Sequence, residues 1–107
     1  MAGTFNKQAT QDIGTLLLPI YQATVKTVLV SCLLTNKLPG YMSVALLWRS
    51  AAGIDTQLIP NATVRGGAAL DGASGKKLVL LPGDQLLATA PVDGAFDAAV
   101  SVLEGVA

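Results

Sequence analysis

The sequence has 107 residues, a length suited to one domain, with 51% hydrophobic and 13% charged residues and seven basic groups balanced by seven acidic ones. Low hydrophobicity and high net charge are both absent, which excludes a disordered chain. Only Lys76 and Lys77 are adjacent basic residues, so there is no basic patch for nucleic acid.

A typical soluble domain carries about 25% charged residues. This chain lacks that charged skin and has no net charge to hold copies apart. Both facts favour a protein that lives against other protein surfaces.

Residues 1–11 are polar, with Gly3, Asn6, Lys7, Gln8 and Gln11. They read as an extended N-terminal arm, either frayed or ordered against a neighbour, ahead of a domain over 12–107. The same stretch lacks the apolar segment of a secretion signal. The apolar runs further on are broken by Ser31, Thr35 and Asn36, too short to cross a bilayer. These features predict a chain made and kept in a cytosol, with no membrane partner.

From residue 14 onward, period-two patterns predict strands near 14–21, 25–35, 41–50, 55–60, 62–65, 67–71, 76–81, 85–90 and 95–104. Val28, Val30, Cys32 and Leu34 share one predicted face. Met42, Val44, Leu46 and Trp48 share another, and Phe96, Ala98, Val100 and Val102 a third. Leu29, Leu33, Leu47, Val79, Leu81 and Leu103 fall on the opposite faces of their strands and would form an apolar patch if left uncovered.

Turn chemistry separates the strands. Leu38-Pro39-Gly40-Tyr41 and Leu81-Pro82-Gly83-Asp84 both fit a type II turn, in which proline presets φ and glycine accepts the positive φ that follows. Asp93-Gly94 reads as a hairpin signal, and residues 71–75 read as a loop. Alanine, leucine and glutamate would permit a helix over 95–107, but the alternation and the preceding Asp-Gly favour a strand. The expectation is an all-β fold, a single antiparallel β-sandwich or jelly-roll-like domain of seven to nine strands.

The sequence offers little for catalysis. It has no histidine, which removes the commonest acid–base group and metal ligand. Cys32 is the only cysteine and sits in an apolar run, as expected for a buried, inert thiol. Asp71, Asp84 and Asp93 stand in turn contexts suited to bonding backbone N–H groups. Asp97 and Glu104 flank the last strand. No calcium-loop or phosphate-loop spacing is present, since Gly75-Lys76 is followed by Lys77. No enzyme, metal or cofactor is expected.

The candidate interface residues are Phe5, Tyr21, Tyr41, Leu47, Arg49 and Leu103. Tyrosine is enriched at contact surfaces, and Arg49 faces away from Trp48 on its strand.

A longer ordered pattern runs through most of the chain. It begins at Ile13-Gly14-Thr15 with Pro19-Ile20-Tyr21 and continues through Val28 to Asn36. Leu58-Ile59-Pro60, Gly67-Ala68-Ala69-Leu70 and Lys77-Leu78-Val79-Leu80 follow, the last running into Gly83-Asp84. It closes with Phe96-Asp97 and Ser101-Val102-Leu103-Glu104. This set resembles small virion proteins of tailed bacteriophages, which look like single β-sandwich modules.

The resemblance implies a structural, non-catalytic part of a virus particle assembled in the bacterial host cytoplasm. The first expectation is a homo-oligomeric capsid decoration (cement) protein bound to the major capsid protein. Alternatives are a neck, tail or fibre-attachment component contacting other virion proteins and, from another class, a carbohydrate-binding β-sandwich module.

Overall fold

Two antiparallel sheets turn the apolar halves of their strands toward each other in this computed structural model, which describes residues 3–72 and 78–105. The strands are β1 (Thr4–Ile13), β2 (Leu18–Gln22), β3 (Thr27–Asn36), β4 (Met42–Arg49), β5 (Asp55–Val64), β6 (Ala69–Asp71), β7 (Leu78–Leu80), β8 (Gln85–Thr89) and β9 (Phe96–Glu104). Most of the loop expected at 71–75, and the Lys76–Lys77 pair, lie outside the described residues.

The larger sheet, sheet A, runs β1-β9-β3-β6, with β7 also paired to β3. The smaller, sheet B, runs β2-β8-β4-β5. Because β6 and β7 both pair with β3, they act as two halves of one strand. The pairing is then first with last, second with second-last, third with third-last, and the middle two together. That is a long hairpin rolled up on itself, the jelly-roll topology. The all-β sandwich expected from the alternation is therefore present.

The core lies between the sheets. Ile13, Ile20, Leu29, Leu34, Leu46, Leu80, Leu86, Phe96, Val100 and Val102 are fully buried there. In β4 and β9 the inward residues are those that the alternation indicates, Val44 and Leu46 in one, Phe96, Ala98, Val100 and Val102 in the other. The helical alternative for the last segment is not taken, because those four side chains reach the core only from an extended backbone.

Strand β3 departs from simple alternation. Leu29 opposes Val102 and Ser31 opposes Ser101 on β9, so Val30 is an extra residue between them. A β-bulge of this kind shifts the phase by one. Thr27 and Leu29 consequently point inward at one end, and Cys32, Leu34 and Asn36 at the other. The expected inward placement of Val28 and Val30 is overturned, as is the outward placement of Leu29.

Residues 4–11, expected to belong to an arm, are instead part of β1, an extended strand paired to β9 of the same chain. The expected strands at 55–60 and 62–65 merge into β5. Pro60 is tolerated there because β5 is the edge of its sheet and needs no donor on its open side.

The corners depend on side chains as much as on turn residues. In the turn 81–84, Gly83 has φ +93° and the Asp84 N–H donates to the Leu81 carbonyl at 3.0 Å, the type II geometry expected. Gly40, by contrast, is not in the left-handed region. The Asn36 side chain holds that corner instead. Its amide donates to the carbonyls of Gly40 (2.9 Å) and Val64 (2.8 Å), and its oxygen accepts from the Leu38 N–H (2.9 Å).

Asp93-Gly94 does not close a hairpin. β8 and β9 belong to different sheets, so the segment between them is a corner that crosses the sandwich. The Asp93 carboxylate accepts from the Thr15 N–H (2.9 Å) and hydroxyl (2.7 Å), tying this corner to the β1–β2 corner. Those donors hold the Asp93 carboxyl below its ordinary range.

Asp84 is used as heavily as Asn36 in the interior. It is 3% exposed and accepts from the Leu81 N–H (3.0 Å), the Ala51 N–H (3.1 Å) and the Trp48 indole (3.1 Å). One carboxylate thus joins the β7–β8 turn, the start of the β4–β5 loop and a core aromatic. Asp84→Ala strands three donors, each costing about 1–3 kcal/mol when left unsatisfied. We expect the midpoint of chemical unfolding to fall by the equivalent of about 3 kcal/mol or more, with little change in slope.

Cys32 is fully buried, and burial, with a smaller contribution from Asp71, pushes its thiol up to about 12. A group whose dissociation is suppressed by folding contributes its full stability below its unfolded value near 9.0. It loses that contribution as pH rises toward about 12. Cys32 should resist iodoacetamide at pH 8 in the native protein and react on unfolding, and stability should decline above pH 9. Rapid native-state alkylation would contradict the burial.

Candidate interaction surface

The two sandwich faces that look outward differ in chemistry. On sheet A the register builds a row across four strands: Phe5 on β1 opposes Leu103 on β9, Leu103 opposes Val28 on β3, and Val28 opposes Val79 on β7. Directly opposite residues lie on the same face, so these four side chains stand side by side. Phe5 is 76% exposed and Val79 45%. The bulge adds Val30, also exposed.

A second row joins Ala9, Ala99 and Leu33, ending at Asp71. Between the two rows lie Lys7, Ser101 and Ser31. A shallow depression of about 410 Å³ sits beside Phe5, lined also by Asn6, Lys7 and Ser101.

The outer face of sheet B is mostly polar. Gln22, Gln85, Arg49 and Asp55 form one row across it, and Thr89 and Ala45 oppose each other in another. Its large aliphatic residues, Leu87 and Leu47, are buried and flanked in register by Pro19 and Gln57.

Of the residues singled out from sequence, Phe5 and Leu103 come together in the apolar row. Tyr41 is 71% exposed but lies in the β3–β4 loop, beyond the far end of β3. Arg49 is on sheet B, where its guanidinium meets Asp55 at 2.7 Å (Nε–Oδ1) and 3.1 Å (Nη2–Oδ2). That pair holds the Asp55 carboxyl below its ordinary range.

Two of the candidates are corrected. Tyr21 is 4% exposed and its hydroxyl donates to Glu104, bridging sheet B to sheet A. Burial, then this bond, raises the tyrosine's pKa. Leu47 is buried for the reason given above. Neither offers a surface to a partner in the single chain.

Val28 and Val30 belong to the outer face, although strict alternation points them inward, because nothing in the local pattern marks the extra residue in β3. Leu33 and Val79 carried the right signal, an apolar residue opposite a core face. Leu81, flagged with them, is 55% exposed in the turn that follows β7.

Among the described residues no three His, Cys, Asp or Glu side chains gather as a metal-binding set. Among the described residues no helix is long and apolar enough to cross a membrane. No protein-family model, curated protein or solved structure matches the chain.

The outer row tests readily because it carries little of the fold. Phe5→Ser with Val79→Ser should leave thermal unfolding almost unchanged, since surface substitutions usually act within about 0.5 kcal/mol. The double variant should bind less of a hydrophobic dye. Leu34→Ala in the core should cost about 2–5 kcal/mol. Dye binding insensitive to the double change would mean the row is not an accessible patch.

Proposed function

We propose that this protein is a structural component of a virus particle, in the first place a capsid decoration protein that sits on the outer shell and reinforces contacts between capsomers. The observation that carries this reading is the asymmetry of the sandwich. The outer face of sheet A carries the Phe5–Leu103–Val28–Val79 row and the Ala9–Ala99–Leu33 row, with Lys7, Ser101 and Ser31 between them, whereas the exposed rows of the opposite face are mostly polar. A module built this way can lay one face on a protein surface and keep the other in water.

Burying apolar area stabilises such a contact by roughly 25 cal/mol per Å², before ordering costs. A standard interface of about 1,600 Å² in total suffices for a specific site. Many copies on linked shell subunits then add avidity with no new contact. Binding energy realised only on the assembled shell stabilises the shell by mass action.

The topology adds support by analogy. Jelly rolls build viral capsid domains, lectin domains and cupins, though a fold alone assigns no function. The sequence has no histidine for the metal chemistry that such barrels often carry. The major capsid protein is the proposed partner, as the resemblance drawn from the sequence implies.

The carbohydrate-binding alternative draws less from the geometry. It needs aromatic platforms that converge. Phe5 lies in the row that runs through Leu103 to Val28, whereas Tyr41 follows Gly40, whose carbonyl is bonded by Asn36. Val28 and Asn36 are near opposite ends of β3, about 26 Å apart at roughly 3.3 Å per residue. The indole of Trp48 is turned to Asp84.

Quantitative mass spectrometry of purified particles tests the proposal. Hundreds of copies per particle, with loss of heat resistance when the gene is deleted, are expected of a decoration protein. Six to a few tens of copies would move the assignment to the neck or tail. Absence from purified particles would overturn the virion reading altogether.

A further inference from the structure

A sheet edge presents unpaired N–H and C=O groups, and natural proteins usually protect it. Three of the four edges here carry such protection. β5 contains Pro60 and two register shifts against β4. β2 is five residues long, with Pro19 and a register shift. The remaining edge of sheet A is divided between β6 and β7, three residues each.

β1 is different. It is ten residues long and contains no proline, and its register shift, with Asp12 at φ +61°, falls after Thr10, leaving Thr4 to Thr10 in unbroken register with β9. Lys7 is the single charged residue between Thr4 and Gln11. Its inward-facing residues Asn6 and Gln8 are exposed, so sheet B does not reach beneath it. The strand overhangs the sandwich, open on both faces and along its free edge.

We propose that β1 pairs with β1 of a second copy across a two-fold axis, joining two copies of sheet A into one continuous antiparallel sheet. An incoming foreign strand would be selected by pockets flanking the edge, but the overhang supplies no wall on the inner side. Specificity therefore comes from the backbone and from symmetry. A second copy presents the same strand, and a two-fold contact is self-complementary by construction.

Charge sets the register. An axis through Lys7 would place two ammonium groups directly opposite, which destabilises a strand pair. An axis through Gln8 sets Lys7 against Ala9 of the second copy and Asn6 against Thr10, within the part of the strand that is regular, before the register shift that follows Thr10. The zero formal net charge of the chain adds no overall repulsion.

The axis stands perpendicular to the sheet, because residues opposed across it must lie on the same face. Both apolar outer faces consequently look the same way. The pairing does not depend on the virion reading, but it would present two copies of the Phe5 row on one side of the dimer.

Engineered disulfides test this on the isolated protein. Opposed residues in an antiparallel pair have Cα atoms about 4.5–5.5 Å apart, within disulfide range. Cys32 is buried and leaves the assay clear. Gln8→Cys should form a covalent dimer under mild oxidation at micromolar concentration. Asn61→Cys on the β5 edge should not, and sedimentation equilibrium of the unmodified protein should give twice the chain mass of 10.9 kDa. Asn6→Cys and Ala9→Cys, run in parallel, report an axis displaced by one or two residues, and a bridge at either also supports edge pairing. A monomer at high micromolar concentration, a dimer that bridges at none of the three positions, or equal bridging at Asn61→Cys overturns the proposal.

Discussion

A strand that passes from one sheet to the other must leave its ladder, and the backbone groups it frees have to find partners inside the corner. A rolled hairpin changes sheets repeatedly, so this constraint governs the whole structure. Asp84 answers it at one end by collecting the N–H groups of Leu81 and Ala51 together with the Trp48 indole. Asn36 answers it at the other, serving the β3–β4 corner and the end of β5 with one amide. Asp93 locks the β8–β9 crossing to the β1–β2 crossing through Thr15. Close approach completes the fit. A Cβ on Gly14 would lie 2.5 Å from the Asp93 backbone, and one on Gly66 would lie 2.5 Å from the Pro39 carbonyl.

With the corners satisfied, each sheet needs only one apolar face, the one turned to the core. Sheet B conforms. Its outer side is hydrophilic except for Leu87 and Leu47, which are covered. Sheet A keeps an apolar row on its outer side, assembled from four strands that meet through register alone. Composition reflects this surplus. A sequence that is half hydrophobic with few charges cannot clothe both outer faces in polar groups.

Much of the architecture was legible because β4 and β9 alternate cleanly and sit in the middle of their sheets, where one face is sealed. β1 was harder. A strand exposed on both faces has no apolar period, and Thr4 to Gln11 therefore looks like any polar terminus. The extra residue at Val30 left no local mark either, since valine suits a bulge as well as a regular strand position. Asp93-Gly94 carries the same chemistry whether it closes a hairpin or turns a corner, and the difference lies in which strand waits beyond it. For the surface, Phe5 and Leu103 could be named but their adjacency could not, because it comes from pairing between the two ends of the chain. Tyr21 misled for a related reason. Its hydroxyl partner Glu104 lies at the far end of the sequence, and the ring packs in the core opposite Leu86, neither of which the local pattern reveals.

The rolled topology also sets the order in which the molecule can be completed. β8 lies between β2 and β4, and β9 lies between β1 and β3, so the central seams of both sheets belong to the last quarter of the chain. As the chain grows, β4 can pair with β5, and β3 with β6 and β7, but β1 and β2 have no partner until β9 and β8 follow. Neither sheet can be completed before those last two strands are made. Contacts of such long sequence separation make folding slow, on the millisecond-to-second scale typical of β-sandwiches. During that interval the apolar strands stand open to aggregation, so the yield of native protein in a cell depends on how quickly the final two strands arrive.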